Sequence, residues 1–143
     1  MRLIRTACVS LLLLSTGAVP LSGKSKGSGT PLEQDYVFAL AAADHFLHAW
    51  QTQDTEVGIL LLTDRLKQRT QEDVLQTFFS SSAYTRQGFE IGRGKKLGRG
   101  RYEFPVALFQ RPSAEANKRA HPQASALVVV RTGRNDWAID KLP

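Results

Sequence analysis

The sequence predicts one α+β domain in which N-terminal helices, one of them long, pack on a curved antiparallel sheet of about four strands. Three observations carry that expectation. Residues 31–52 place apolar side chains at every third or fourth position, the repeat of an amphipathic helix. After Tyr84 the repeat becomes strict alternation, the mark of half-buried strands. Leu127–Val130 is an unbroken apolar, β-branched-rich run, as expected of a central strand buried on both faces. With 143 residues, 42% hydrophobic and 22% charged, the chain is long enough for one core and too short for two.

Taken in order, the chain begins with a segment unlike the rest. Arg2 and Arg5 make a basic start, Ala7–Leu14 a compact apolar run, and Ser15, Thr16, Gly17 and Ala18 a small-residue end. That order is the pattern of a cleavable secretory signal peptide, residues 1–18, with Gly23 as a later cleavage point. The apolar run falls well short of the roughly 20 residues a membrane span needs. The expectation is an exported protein, periplasmic or secreted, that is not an integral membrane protein once processed. The single cysteine, Cys8, lies inside the apolar run rather than at the cleavage point, which argues against lipid attachment. Processing would leave no thiol, so thiol catalysis, cysteine–zinc sites and disulfides are excluded and packing alone must hold the core. Residues 19–29 read as a flexible linker and 30–143 as the folded domain.

Thr30 as cap, Pro31 at the first helical position and Glu33 completing a capping box start the long helix. Its apolar stripe is Leu32, Tyr36, Leu40, Ala43, Leu47 and Trp50, widened by Phe46. Asp54 caps a short helix over Val57–Leu62, weakened at Gly58, and Thr63 or Asp64 opens a further turn through Arg69. Thr70–Asp73 start another helix with Val74, Leu75, Phe78 and Phe79 as its apolar side, ended by Ser80–Ser82.

In the second half, Phe89 and Ile91 alternate with Glu90, and Tyr102, Phe104, Val106 and Leu108 with Glu103, Pro105 and Ala107. Trp137 and Ile139 alternate with Asp140. This phase sets Glu90, Glu103 and Asp140 towards water. The glycines between 92 and 100 connect the first two strands, Arg111–Gln123 reads as a long exposed loop, and Thr132–Asp136 as a hairpin turn.

The long first helix ending at Trp50, the Gln53-Asp54 lead-in to the second, and the terminal strand Trp137–Pro143 resemble the nuclear-transport-factor-2-like superfamily. This is the cone-shaped, cystatin-like α+β group that includes ketosteroid isomerase; the likeness is greatest to its uncharacterised bacterial exported members and covers residues 31–143. It implies a pocket between the first helix and the sheet. Tyr36, Leu40, Leu47 and Trp50 would form the helix side, and Phe89, Tyr102, Phe104 and Trp137, with Ile91, Val106, Val128 and Ile139, the sheet side. Enzymes of the superfamily set an acid or histidine on such inward positions to move a proton. Here those positions are almost wholly apolar or aromatic, so no catalytic residue carries over. The aromatics either fill a core or line a cavity for a small apolar ligand.

Asp44, His45 and His48 remain as candidate bases for an isomerase-, dehydratase- or cyclase-like enzyme. His45 and His48 stand three apart on one helix, but a metal site needs a third or fourth ligand, and His121 lies in the long loop. No metal or cofactor is implied, and no Gly-x-Ser-x-Gly elbow is present. The segment 92–101 concentrates Arg93, Lys95, Lys96, Arg99 and Arg101 among glycines. It has neither the Gly-Lys-Ser/Thr of a P-loop nor the βαβ setting of a dinucleotide fingerprint. Its charges either keep a strand edge from pairing or contact an anionic surface such as lipid or cell-wall polymer. Export and the lack of interleaved aromatics argue against nucleic acid. Residues 30–84 carry three basic and eight acidic side chains, residues 85–143 twelve and five. That polarity either draws the two halves together or steers a partner.

The function expected from these features is that of an exported, non-enzymatic binding or self-association module. A homodimer through the open sheet face is compatible with Ala107, Phe109, Leu127 and Val129 as outward apolar residues. A small enzyme with an apolar pocket and attachment to an anionic surface are the alternatives; fold alone does not choose among them.

Overall fold

The computed structural model describes residues 31–80, 84–112 and 121–143; the expected leader, linker and Thr30 cap lie outside them, as do Ser81 and Ser82. Four helices precede five strands: α1 Pro31–Thr52, α2 Thr55–Leu60, α3 Asp64–Arg69, α4 Glu72–Ser80, then β1 Tyr84–Ile91, β2 Lys95–Gly98, β3 Arg101–Pro112, β4 His121–Arg131 and β5 Trp137–Lys141. This is the expected α+β order. The additional strand, β2, arises inside the glycine-rich connection.

Local chemistry sets the helix ends. Gln53 takes a left-handed φ of 61°, which lets the Asp54 N–H reach the Ala49 carbonyl at 2.8 Å and closes α1. The Asp54 carboxylate then accepts the Val57 N–H at 3.0 Å to cap α2, and the Thr63 hydroxyl accepts the Leu66 N–H at 3.1 Å to cap α3.

All neighbouring strands are antiparallel, in the order β1-β3-β4-β5. β2 pairs with Arg101–Glu103 and β1 with Val106–Pro112, along the edge of β3 that β4 does not occupy. β1 and β2 are therefore two halves of one interrupted edge strand. At the break, Gly94 comes so close to the Phe104 ring that a Cβ would collide with it, and its N–H donates to the Tyr36 hydroxyl at 3.1 Å. Pro105 sits opposite, accepting the Gly92 N–H at 2.8 Å. A strand residue's N and O point the same way, so the proline's missing donor also faces the break. At the far edge Leu62 forms a parallel bridge to Ile139: the Ile139 N–H donates to Leu61 at 2.8 Å and the Thr63 N–H to Ile139 at 2.9 Å.

The core lies between α1 and the sheet. Ala39, Ala43, Phe46, Leu47 and Trp50 are fully buried on the helix side and Tyr102, Phe104, Val106 and Leu108 are buried on β3. α4 docks through rings, with Phe79 5.6 Å and Phe78 6.1 Å from Phe46. β4 corrects the expected phase. Leu127 and Val129 stand opposite Phe104 and Tyr102, and opposed residues share a face. Both are therefore core residues, fully buried, and Val128 belongs to the outer face. The supposed loop over Arg111–Gln123 is also shorter than expected, because β3 runs to Pro112 and β4 starts at His121.

Gly58, an apparent weakness in α2, is buried where a Cβ would collide with the Phe79 ring. On an exposed helix Gly→Ala stabilises by about 1 kcal/mol. Here Gly58→Ala is expected to destabilise by about 1–3 kcal/mol in urea unfolding. A stabilised variant would mean that α4 does not seat on α2 in this way.

Candidate functional site

The eight expected pocket residues divide between the core and a groove. Tyr36 lies 5.8 Å from Tyr102 and 5.7 Å from Phe104, and Tyr102 lies 5.8 Å from Trp137, ring centre to ring centre. Leu47 and Trp50 are fully buried. All six belong to the hydrophobic core cluster or pack against it. Leu40 and Phe89 instead line an open groove of about 480 Å³ between α1 and β1, with Val37, Ala41, Asp44 and Ile91.

Asp44 is the polar residue of that groove, and His48 stands beside it. The His48 Nδ1 is 3.0 Å from the Asp44 carbonyl and 3.3 Å from its carboxylate, and the imidazole meets the Phe89 ring edge-on at 5.0 Å. Both side chains are more than half exposed, at 53% and 57%, and His45 is exposed too. A general base working in apolar surroundings needs a seclusion that these positions do not provide. Among the described residues no three His, Cys, Asp or Glu side chains are grouped to hold a metal, and no helix is long and apolar enough to cross a membrane.

Asp140 was expected to face water, and it does not. Its strand position is outward, but the residue is only 1% exposed. Thr63 Oγ1 donates to one carboxylate oxygen at 3.0 Å and Arg65 Nε to the same oxygen at 3.2 Å. Arg65 Nη2 donates to the other, which also lies 3.2 Å from Arg101 Nη1, and Arg69 donates to the Asp140 backbone carbonyl. Burial alone would push the carboxyl up. The hydrogen bonds from Arg65 and Thr63 and the charges of Arg65 and Arg101 outweigh it and hold Asp140 below the ordinary carboxylate value of 3.8. Alternation along β5 gives the direction of this side chain but not the arginines that close over it. Tyr102 shifts the other way: burial and the nearby Asp35 charge push its phenol up.

The basic segment is split by these contacts. Arg101 is engaged with Asp140, whereas Arg93, Lys95, Lys96 and Arg99 are exposed and make no ion pair among the described residues. The β4–β5 turn lies alongside, because the Arg131 N–H donates to the Gly100 carbonyl at 2.8 Å.

On the outer sheet face, Pro105 and Ala124 are exposed, and Ala107, Phe109 and Ala126 are partly so. A shallow depression of about 290 Å³ runs between Glu90, Pro105, Ala107 and Ala124. The chain matches no protein-family model and no curated protein sequence.

The depressed Asp140 carboxyl makes a signed prediction. Its contribution to stability is complete above the unfolded value of 3.8 and is lost as pH falls through the lower folded value. Asp140→Asn should destabilise by about 2 kcal/mol at neutral pH. It should also flatten the loss of stability below about pH 4. Retention of the wild-type acid limb in a pH series of melts would remove Asp140 as its source.

Proposed function

We propose that this protein is an exported, non-enzymatic module of the nuclear-transport-factor-2-like cone type that works by pairing with a second copy of itself through the outer face of the sheet. The carrying observation is the chemistry of that face. Pro105, Ala107 and Phe109 on β3 lie beside Ala124 and Ala126 on β4, while Val128 further along β4 is buried and α1 with its aromatic contacts occupies the opposite face. Apolar side chains on an uncovered sheet face suit close contact with an identical face. The charges around them are of both signs, Glu90 along β1 and Arg101 and Glu103 at one end of β3, so a two-fold arrangement can match them.

Export rests on the basic, apolar and small order of residues 1–18. The cone assignment rests on the order of helices and strands and on the long α1 ending near Trp50. An enzymatic reading has less support, because Asp44, His45 and His48 are all exposed.

Oligomeric state is the decisive measurement. Light scattering is expected to give a dimer for the wild type and a monomer for Ala126→Glu, with unchanged circular dichroism. A monomeric wild type, or a dimeric Ala126→Glu, ends the pairing proposal. Intact mass after expression in an exporting host tests the other half: the chain should begin at Val19, or at Lys24 if the later site is used. A mass that retains Met1 through Ala18 would remove the export proposal.

A further inference from the structure

We infer that the end of the sheet carrying the β2–β3 and β4–β5 turns docks on an anionic lipid surface, with Leu97 entering the headgroup layer and the surrounding cations meeting lipid phosphates. This goes beyond the pairing proposed above, which uses the sheet's outer face.

The protein neutralises only some of the cations at this end. Arg101 and Arg131 flank this end, and each has an internal acid: Asp140 at 3.2 Å and Asp35 at 3.4 Å. Arg93, Lys95, Lys96 and Arg99 have none among the described residues, although Glu103 stands opposite Lys95 in the strand register. The neighbouring turn adds Arg134, exposed and likewise without an ion pair. Glu103 and Asp136 are the acids on these segments against five cations without an ion pair among the described residues, Arg93 at the β1–β2 break and the other four on β2 and the two turns, which leaves a positive excess.

The second observation is apolar. All four residues of β2 are exposed, and Leu97 in their midst is 43% exposed. Protection of an edge strand against pairing accounts for the lysines but not for a leucine among them. An exposed apolar side chain with Lys95, Lys96 and Arg99 within two residues of it in sequence fits an interface that offers phosphates and acyl chains together. A soluble polyanion offers only the first.

The platform is also fixed in advance. The Arg131 N–H holds Gly100 at 2.8 Å, and its guanidinium donates to the carbonyls of Gly133, at 2.9 Å, and Arg134. The Thr132 N–H donates to Asp136 at 2.9 Å across the turn. Little ordering is left for binding to impose.

Co-sedimentation of the full chain with phosphatidylcholine vesicles, with and without phosphatidylglycerol, tests this. Binding should require the anionic lipid and weaken steeply with salt. Each basic residue at such a surface adds about fivefold in partitioning, so Lys95→Glu with Lys96→Glu should lose about a hundredfold or more. Leu97→Asn should lose about tenfold on vesicles yet keep its retention on a dextran sulfate column. All three positions are exposed, and circular dichroism checks that the variants fold. Absence of binding to phosphatidylglycerol vesicles overturns the inference. So does Leu97→Asn binding them as tightly as the wild type, which would make this end a general polyanion site. Displacement by inorganic phosphate beyond a matched chloride control would assign free phosphate instead and overturn it equally.

Discussion

One helix of 22 residues covers the inner face of a sheet whose longest strand has 12. At about 1.5 Å per helical residue and 3.3 Å per strand residue, α1 spans roughly 33 Å against roughly 40 Å for β3. Length is thus nearly matched, but a helix is only about 10 Å wide. α1 reaches β1, β3, β4 and β5, and Phe46 and Trp50 extend the cover by receiving the Phe78 and Phe79 rings of α4. This arrangement concentrates the large side chains on one face. The other is left with alanine, proline, Phe109, Val128 and the charged residues around them.

The elements that could be read from the sequence are those whose burial alternates. α1 was legible because its stripe repeats at helical spacing, and β3 and β5 because Tyr102, Phe104, Trp137 and Ile139 are separated by residues that face away. β4 is legible as a central strand but the expected phase, Val128 inward with Leu127 and Val129 outward, is reversed: in Leu127–Val130 every side chain is apolar, and only pairing with β3 says which ones point inward. Pro112 and Pro122 suggested a loop, yet Pro122 pairs with Phe109 near the start of β4, where a missing donor is tolerated. For the candidate site, alternation sets Tyr102, Phe104 and Trp137 inward, where they are buried, while Phe89 stands half-buried at the groove. Whether they enclose space depends on ring-to-ring distances, which have no sequence signature. Asp140 was the least legible residue, since Arg65 is 75 positions away.

Electrostatics shows the same difference between tendency and contact. The acidic front half and basic back half would favour pairs such as Asp35 with Arg131, at 3.4 Å. The buried cluster runs the other way, with Arg65 from the acidic half on Asp140 from the basic half. A desolvated carboxylate demands nearby donors irrespective of the net charge of the segment supplying them. Surface cations such as Lys95 and Lys96 face no such demand, so they are where the excess positive charge remains.

The joint between Thr63 and Asp140, together with the parallel bridge next to it, spans 77 positions of sequence. α1, α4 and the β3–β4–β5 meander all form from much nearer neighbours. The joint therefore carries a larger closure entropy than any of these pieces, although Asp35 and Arg131 are joined across 96 positions. Interactions made after the transition state leave the folding rate almost untouched and act on the unfolding rate instead. A buried aspartate and arginines that close only then act as a brake on escape, setting how long the native state lasts more than how quickly it is reached.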